Sequence, residues 1–347
     1  MTQPLEIQPA ALSSLTSSPS IAHAPIPLKS DHQEAKSFDL GATINLSIAL
    51  IAVSFAAIFM RYSEVEISAN STVFCRFLVF TLAFGTIRAI GKLREYWNRK
   101  PEAEVSTAPP ISTQQWILLG SVGAIATASL VLWAMSLTRT SVANSVLLNN
   151  LTPLFTTLGG WLFLGQRFDR RFLIGLGIAL IGAFSLGASD LHLGGITLIG
   201  DAYALLSAVF LAAYFLLAER LRDRFSATTI LLWRCSVGML ILVPLIITTE
   251  GVDFLPKTVT GWGSVIALGI ICEGLGQRLL AKSFEKFSSS FISLFLLLEP
   301  PLSALFAWFI FSEKMGISNL ISFVLVTIGL YIAKFSNPTS NEAEPAH

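Results

Sequence analysis

Hydrophobic runs of membrane-crossing length dominate the chain, and polar residues gather in the short intervals between them. The hydrocarbon core of a bilayer, about 30 Å thick, needs roughly 20 apolar residues per helix. Ten segments meet that requirement, at about residues 42–60, 69–90, 114–137, 141–164, 172–188, 200–218, 228–248, 261–281, 287–311 and 317–334. The pattern predicts an all-α membrane protein with ten transmembrane helices. Only the basic, proline-containing interval 91–113 is long, so no extramembrane domain is expected. Residues 1–38 are rich in Ser, Pro, Ala and Thr and carry no apolar run of spanning length. They read as a disordered cytosolic tail, and so do residues 336–347.

Composition agrees. Of 347 residues 53% are hydrophobic and 13% charged, against about 25% charged in a soluble domain. A net charge of +1 names no partner and offers no basic surface for nucleic acid. Cys75, Cys235 and Cys272 all lie inside apolar runs, and no CxxC spacing occurs. Neither a disulfide framework nor a metal site is expected, and no cofactor motif is present. The four histidines fall in tails or a loop, which excludes an imidazole relay within the membrane. Placing the N-terminus in the cytoplasm puts 16 Lys and Arg residues inside and 4 outside, alternating through all ten spans. By the positive-inside rule the chain is a multi-pass protein of the plasma or inner membrane with both termini cytosolic.

The fourth and ninth spans are related. "LTPLFTTLGGWLFLGQR" (151–167) aligns with "LEPPLSALFAWFIFSEK" (298–314) at a constant offset of 147, bringing Pro153 onto Pro300, Trp161 onto Trp308 and Gly165-Gln166-Arg167 onto Ser312-Glu313-Lys314. "ANSTVFCR" (69–76) likewise matches "ATTILLWR" (227–234), placing Arg76 on Arg234. The chain therefore reads as two five-helix repeats, residues 39–190 and 191–335. Five is odd, so the copies insert in opposite directions. Inverted repeats with helices broken by Pro or Gly at their interface are a transporter signature, which makes Pro153, Pro300 and Pro301 candidate gating hinges.

These residues resemble the EamA-type family of the drug/metabolite transporter superfamily. The likeness rests on the proline-containing fourth and ninth spans, on Arg76 and Arg234, and on "GDAYALLSAVFLAAYFLLAERL" opening the sixth span. It covers residues 40 to 335, and Gln166 departs from the glutamate usual at that position. The resemblance implies a central cavity lined by ten helices and export or exchange of small metabolites by alternating access.

Five charged residues lie inside spans: Arg76, Arg234, Glu273, Arg278 and Glu299. Each would cost about 2.5–3.5 kcal/mol facing lipid unpaired, so they are expected to be paired, snorkelling, protonated or turned to a wet cavity. Arg76, Arg234 and Arg278 read as structural intramembrane charges. Glu273 and Gln277, read as one helical turn apart, form a polar stripe, and Glu299 opens the kink of the ninth span. The carboxylates have no acidic counterpart in the first repeat, and Asn149-Asn150 have none in the second. This asymmetry nominates Glu273, Gln277, Glu299, Asn149 and Asn150 for substrate binding or coupling, with Trp133 and Tyr214 as aromatic walls. For each carboxylate two roles stay open: ligand or proton binding, or pairing with Arg76 or Arg234.

The expected activity is secondary active export or exchange of small metabolites, amphipathic amines or amino acids, with protons as a candidate coupling ion. The partners are a small-molecule substrate and the lipid bilayer, and the oligomeric state is left open. A sensor or membrane chaperone on a transporter scaffold is the alternative. An intramembrane enzyme is disfavoured: there is no HExxH or GxGxxG, and no second aspartate within a span accompanies Gly200-Asp201.

Overall fold

In the computed structural model, residues 40–97, 112–137, 139–140, 142–188, 198–249, 251, 254–312 and 316–334 are described. The expected tails lie outside them, as do Glu313 and Lys314 of the repeat match. The described residues form helices and no β-strand. We number these α1 (Leu40–Ser63), α2 (Ala69–Trp97), α3 (Thr113–Leu137), α4 (Val142–Asn149), α5 (Thr152–Leu164), α6 (Arg170–Ala188), α7 (Leu198–Arg222), α8 (Ala227–Thr249), α9 (Val259–Ser283), α10 (Ser289–Phe311) and α11 (Ile317–Lys334). Eight of them are long and apolar enough to cross a membrane: all except α4, α5 and α6.

The expected fourth span is a broken pair. After α4 the chain turns at Asn150-Leu151 and restarts as α5, with Pro153 in its first turn. Proline lacks an N–H and is tolerated there because first-turn amides have no intrahelical partner. Thr152 and Thr157 satisfy freed carbonyls: their hydroxyls donate to Asn149 O and Pro153 O, each at 2.6 Å. The same fault recurs in α10, where a 3₁₀ turn at Leu296–Leu298 precedes the helical run Glu299–Phe311 with Pro300 and Pro301 at its start. Both downstream segments end left-handed, at Gly165 (φ 64°) and at Ser312 (φ 54°). These two positions are again 147 residues apart.

Within α9, residues Leu268–Gln277 are π-helical. The expectation of a regular helix fails here, and so does the Glu273–Gln277 stripe. Residues four apart complete a turn in an α-helix but fall short of one in the wider i→i+5 register. Glu273 is buried while Gln277 is only partly covered. The segment is glycine-rich because neighbours come close. A Cβ on Gly269 would meet Val79 at 2.6 Å, and one on Gly274 would meet Phe84 at 2.4 Å.

Three apolar clusters hold the bundle. The first joins α2, α8 and α9 around Phe77, Phe80 and Leu231. The second joins α1, α3, α7 and α8 around Leu46, Leu119 and Ile230. The third joins α6 to α11 and the α10 break through Ala179, Leu297 and Val326. Large apolar side chains such as Phe163, Phe309 and Ile317 remain exposed, as expected of a surface solvated by lipid tails.

Candidate functional site

Three helices bring three of the five predicted intramembrane charges together. Arg234 of α8 donates from Nη1 to Glu273 Oε1 of α9 at 2.7 Å. Arg76 of α2 places Nε 3.9 Å from the other carboxylate oxygen. Glu273 is 1% and Arg234 9% exposed. Both guanidinium groups flank the Phe77 ring, at 5.3 and 5.6 Å from its centroid, and Arg234 also sits 5.2 Å from the ring of Tyr214 on α7. An aromatic face attracts a cation, so these rings stabilise the two arginines where water is absent. Cys235 adds a weak thiol contact to Glu273 Oε1 at 3.7 Å. The cluster carries two positive charges and one negative, and Nε of each arginine is buried without a hydrogen-bond acceptor.

Glu299 differs from Glu273. It is half-buried at the start of the second segment of α10, and no ion pair or hydrogen bond holds it among the described residues. Arg76 is the cation that acts on it electrostatically. Ahead of two prolines it stands at a helix N-terminus, where a negative charge is favoured by the backbone dipole. Of the two roles left open for the carboxylates, the geometry shows pairing for Glu273 and none for Glu299.

The remaining predicted residues are more dispersed. Asn149 Oδ1 accepts from Ser207 Oγ at 3.3 Å, tying the break after α4 to α7. Asn150 Nδ2 and Trp133 Nε1 are buried donors without acceptors. No hydrogen bond, ion pair or ring contact joins either of them, or Gln277, to the Arg–Glu cluster among the described residues. Arg278 lies over the Phe84 ring at 5.2 Å, away from the carboxylates. The hinge segments touch directly: Thr156 of α5 and Ser293 of α10 share a hydrogen bond of 2.6 Å between hydroxyls.

The chain matches the EamA-like transporter family twice, over residues 42–188 and again over 198–335. It belongs to that family. A pseudopaline exporter, CntI, of Pseudomonas aeruginosa (strain UCBPP-PA14) is 26% identical over 219 residues, spanning 61% of this chain and 72% of that protein. An uncharacterized transporter of Archaeoglobus fulgidus is 24% identical over 300 residues, 83% of this chain and 95% of its own length. A solved crystal structure superposes with TM-score 0.67 at 18% identity, covering 84% of this chain and 96% of that one, a likeness of fold. This EamA-like protein is an integral multi-pass membrane transporter.

One feature of the family pattern acquires a physical reason only in three dimensions. Gln166 Nε2 donates to Glu219 Oε1 of α7 at 2.9 Å, and Glu219 Oε2 accepts the Ser289 amide at the start of α10 at 2.8 Å. An ionised glutamate at 166 has no hydrogen to give, so the departure to Gln fits its partner. In the sequence, Glu219 has no role beyond its place in the stretch that opens the sixth span. Nothing in its spacing signalled a link spanning α5, α7 and α10.

Proposed function

We propose that this transporter is a secondary active exporter or exchanger of small amphipathic amines or amino acids, coupled to protons and working by alternating access between two oppositely inserted halves. The observation that carries the reading is Glu299, a half-buried carboxylate at the break of a hinge helix that no hydrogen bond or ion pair holds among the described residues. A substrate ammonium binds Glu299 in place of a proton. A substrate carboxylate binds Arg76, whose Nε has no hydrogen-bond acceptor and only a long contact to Glu273, leaving the Arg234–Glu273 pair as a strut. Such a site favours zwitterions and amines over multiply anionic substrates.

The packing supports the inverted halves. If α1–α6 and α7–α11 are related by a two-fold axis, α3 on α7 must be mirrored by α9 on α1, and α3 on α8 by α9 on α2; all four contacts occur. The α6–α11 and α2–α8 contacts are then self-paired on the axis. Pro153 and Pro300 free backbone groups at equivalent depth, which is tolerable where the backbone faces protein or a wet cavity. The broken segments can therefore tilt without stripping hydrogen bonds from an intact helix. Export as the direction is supported by the relative named as an exporter.

The test is flux in proteoliposomes across a panel of amino acids and amines, with and without an imposed pH gradient. Glu299→Gln is expected to abolish the component driven by the gradient. Unchanged flux with unchanged response to the gradient in that variant refutes the assignment.

A further inference from the structure

A second site lies at the Lys- and Arg-rich end of the bundle, outside the Arg–Glu cluster. It is a cleft of about 350 Å³ where the end of α2 diverges from α3 and α8. Arg88 and Lys92 of α2 and Arg224 of the loop before α8 line it, and no carboxylate does. Among the described residues none of the three cations is ion-paired. Arg88 Nη1 donates to Ser226 Oγ at 3.3 Å, and Ser226 caps α8 by accepting from the Thr229 amide at 3.2 Å. The positive end of a 23-residue helix therefore adds to three full charges. The wall is Trp116 against Trp233, an edge-on pair with centroids 5.4 Å apart. Tryptophan, apolar in body and polar at its N–H, favours the headgroup layer.

Depth agrees. With 29 residues, α2 is about 43 Å long at 1.5 Å per residue, longer than a hydrocarbon core of about 30 Å. Its last turns, which carry Arg88 and Lys92, therefore reach the polar layer. Three unpaired cations converging on one cleft repel each other unless an anion joins them. A single positive residue there would be an ordinary snorkelling side chain, but two from α2 and a third from the loop before α8, around a cavity with hydroxyls and an indole wall, make a receptor.

We propose that this cleft binds a phosphate-bearing anion, either the headgroup of an anionic phospholipid or a soluble organic phosphate. Basic pockets between helices near the cytoplasmic surface recognise such headgroups. The bound anion bridges α2, α3 and α8, and so steadies the elements that carry Arg76 and Arg234. The site stands independently of the transport reading, since its readout is binding to the purified full-length chain.

The experiment compares wild type, a triple variant Arg88→Gln/Lys92→Gln/Arg224→Gln, and an equal-charge control Arg94→Gln/Arg170→Gln/Arg171→Gln at the same end. Native mass spectrometry and thermal unfolding are read with added phosphatidylglycerol, with phosphatidylcholine, and with inorganic phosphate alone. Wild type and control are expected to retain phosphatidylglycerol and unfold at higher temperature with it. The triple variant should bind it roughly ten- to a hundredfold more weakly. Protection by inorganic phosphate, lost in the same variant, supports the site with a soluble source instead. A Lys-for-Arg version (Arg88→Lys/Arg224→Lys) separates loss of charge from loss of fold by keeping binding. Equal lipid and phosphate binding in triple variant and control, or a preference for phosphatidylcholine in wild type, overturns the proposal.

Discussion

Replacing Glu273 by Gln removes the one negative charge that faces both Arg76 and Arg234. An ordinary interhelical hydrogen bond in a membrane protein is worth about 0.6 kcal/mol on average, whereas breaking a buried ion pair from one side costs about 3–5 kcal/mol because the partner charge is stranded. The two figures are far enough apart to decide between them. Glu273 is 1% exposed and bonded at 2.7 Å to an arginine 9% exposed, so solvent cannot take over its role. A loss of about 3–5 kcal/mol is expected for Glu273→Gln, and a similar one for Arg234→Leu. Arg76→Leu should lose only about 1 kcal/mol, since its Nε stands 3.9 Å from the carboxylate with no hydrogen bond. The double variant Arg234→Leu/Glu273→Leu should recover more than half of the single losses, because well-packed apolar replacements are close to neutral. Equilibrium unfolding in mixed micelles reads all four. If Glu273→Gln loses less than about 1 kcal/mol yet transport stops, Glu273 contacts the ligand and the strut reasoning is wrong.

Gln166→Glu sets two carboxylates against each other across the present 2.9 Å contact. It should destabilise the chain by about 1–3 kcal/mol, read by thermal unfolding, and Glu219→Gln in the same background should restore it. Ser312→Gly relieves a left-handed backbone at φ 54°, so a gain of about 1 kcal/mol is expected in the same measurement, and no gain would mean that the serine side chain is needed there. Glu66 accepts from the amides of Lys257 and Thr258, and the Thr258 hydroxyl first, then these two amides, hold its carboxyl below the usual range. The link is thus intact above the ordinary carboxylate pKa and lost as pH falls through the lowered one. Hydrogen exchange at the two amides, corrected for intrinsic rate, should lose protection only on the acid side.

Much of this architecture is legible in the pattern of residues, because a membrane span is written as a run of fixed length. Every expected span from 42–60 to 317–334 has helix beneath it, and α11 (Ile317–Lys334) agrees with the expected 317–334 to the residue. The breaks at Pro153 and Pro300 were also readable, since proline dictates its own local geometry. The π segment of α9 was not. No residue encodes it alone; three glycines let α1 and α2 press in, and the backbone widens in response. The candidate site was half legible. Charge inside a span flags Arg76, Arg234, Glu273 and Glu299 at once, but which carboxylate is paired depends on how helices rotate, and rotation is set by packing. Glu219 and the basic cleft went unread for the opposite reason: near a helix end a charge looks ordinary until its neighbours are known.

The meeting of α6 and α11 has an implication for how this sequence can drift. A Cβ on Gly175 would fall 2.4 Å from Gly329 O, and one on Gly329 would fall 2.5 Å from Gly175 O. Most tight contacts let one residue grow if its opposite shrinks. Here the nearest obstacle to each is main chain, which no substitution can trim, so these two positions admit no compensating exchange and are locked separately. If the halves slide past one another along this line, main chain rides on main chain at these two glycines, with the small methyls of Ala179 and Ala333 beside them.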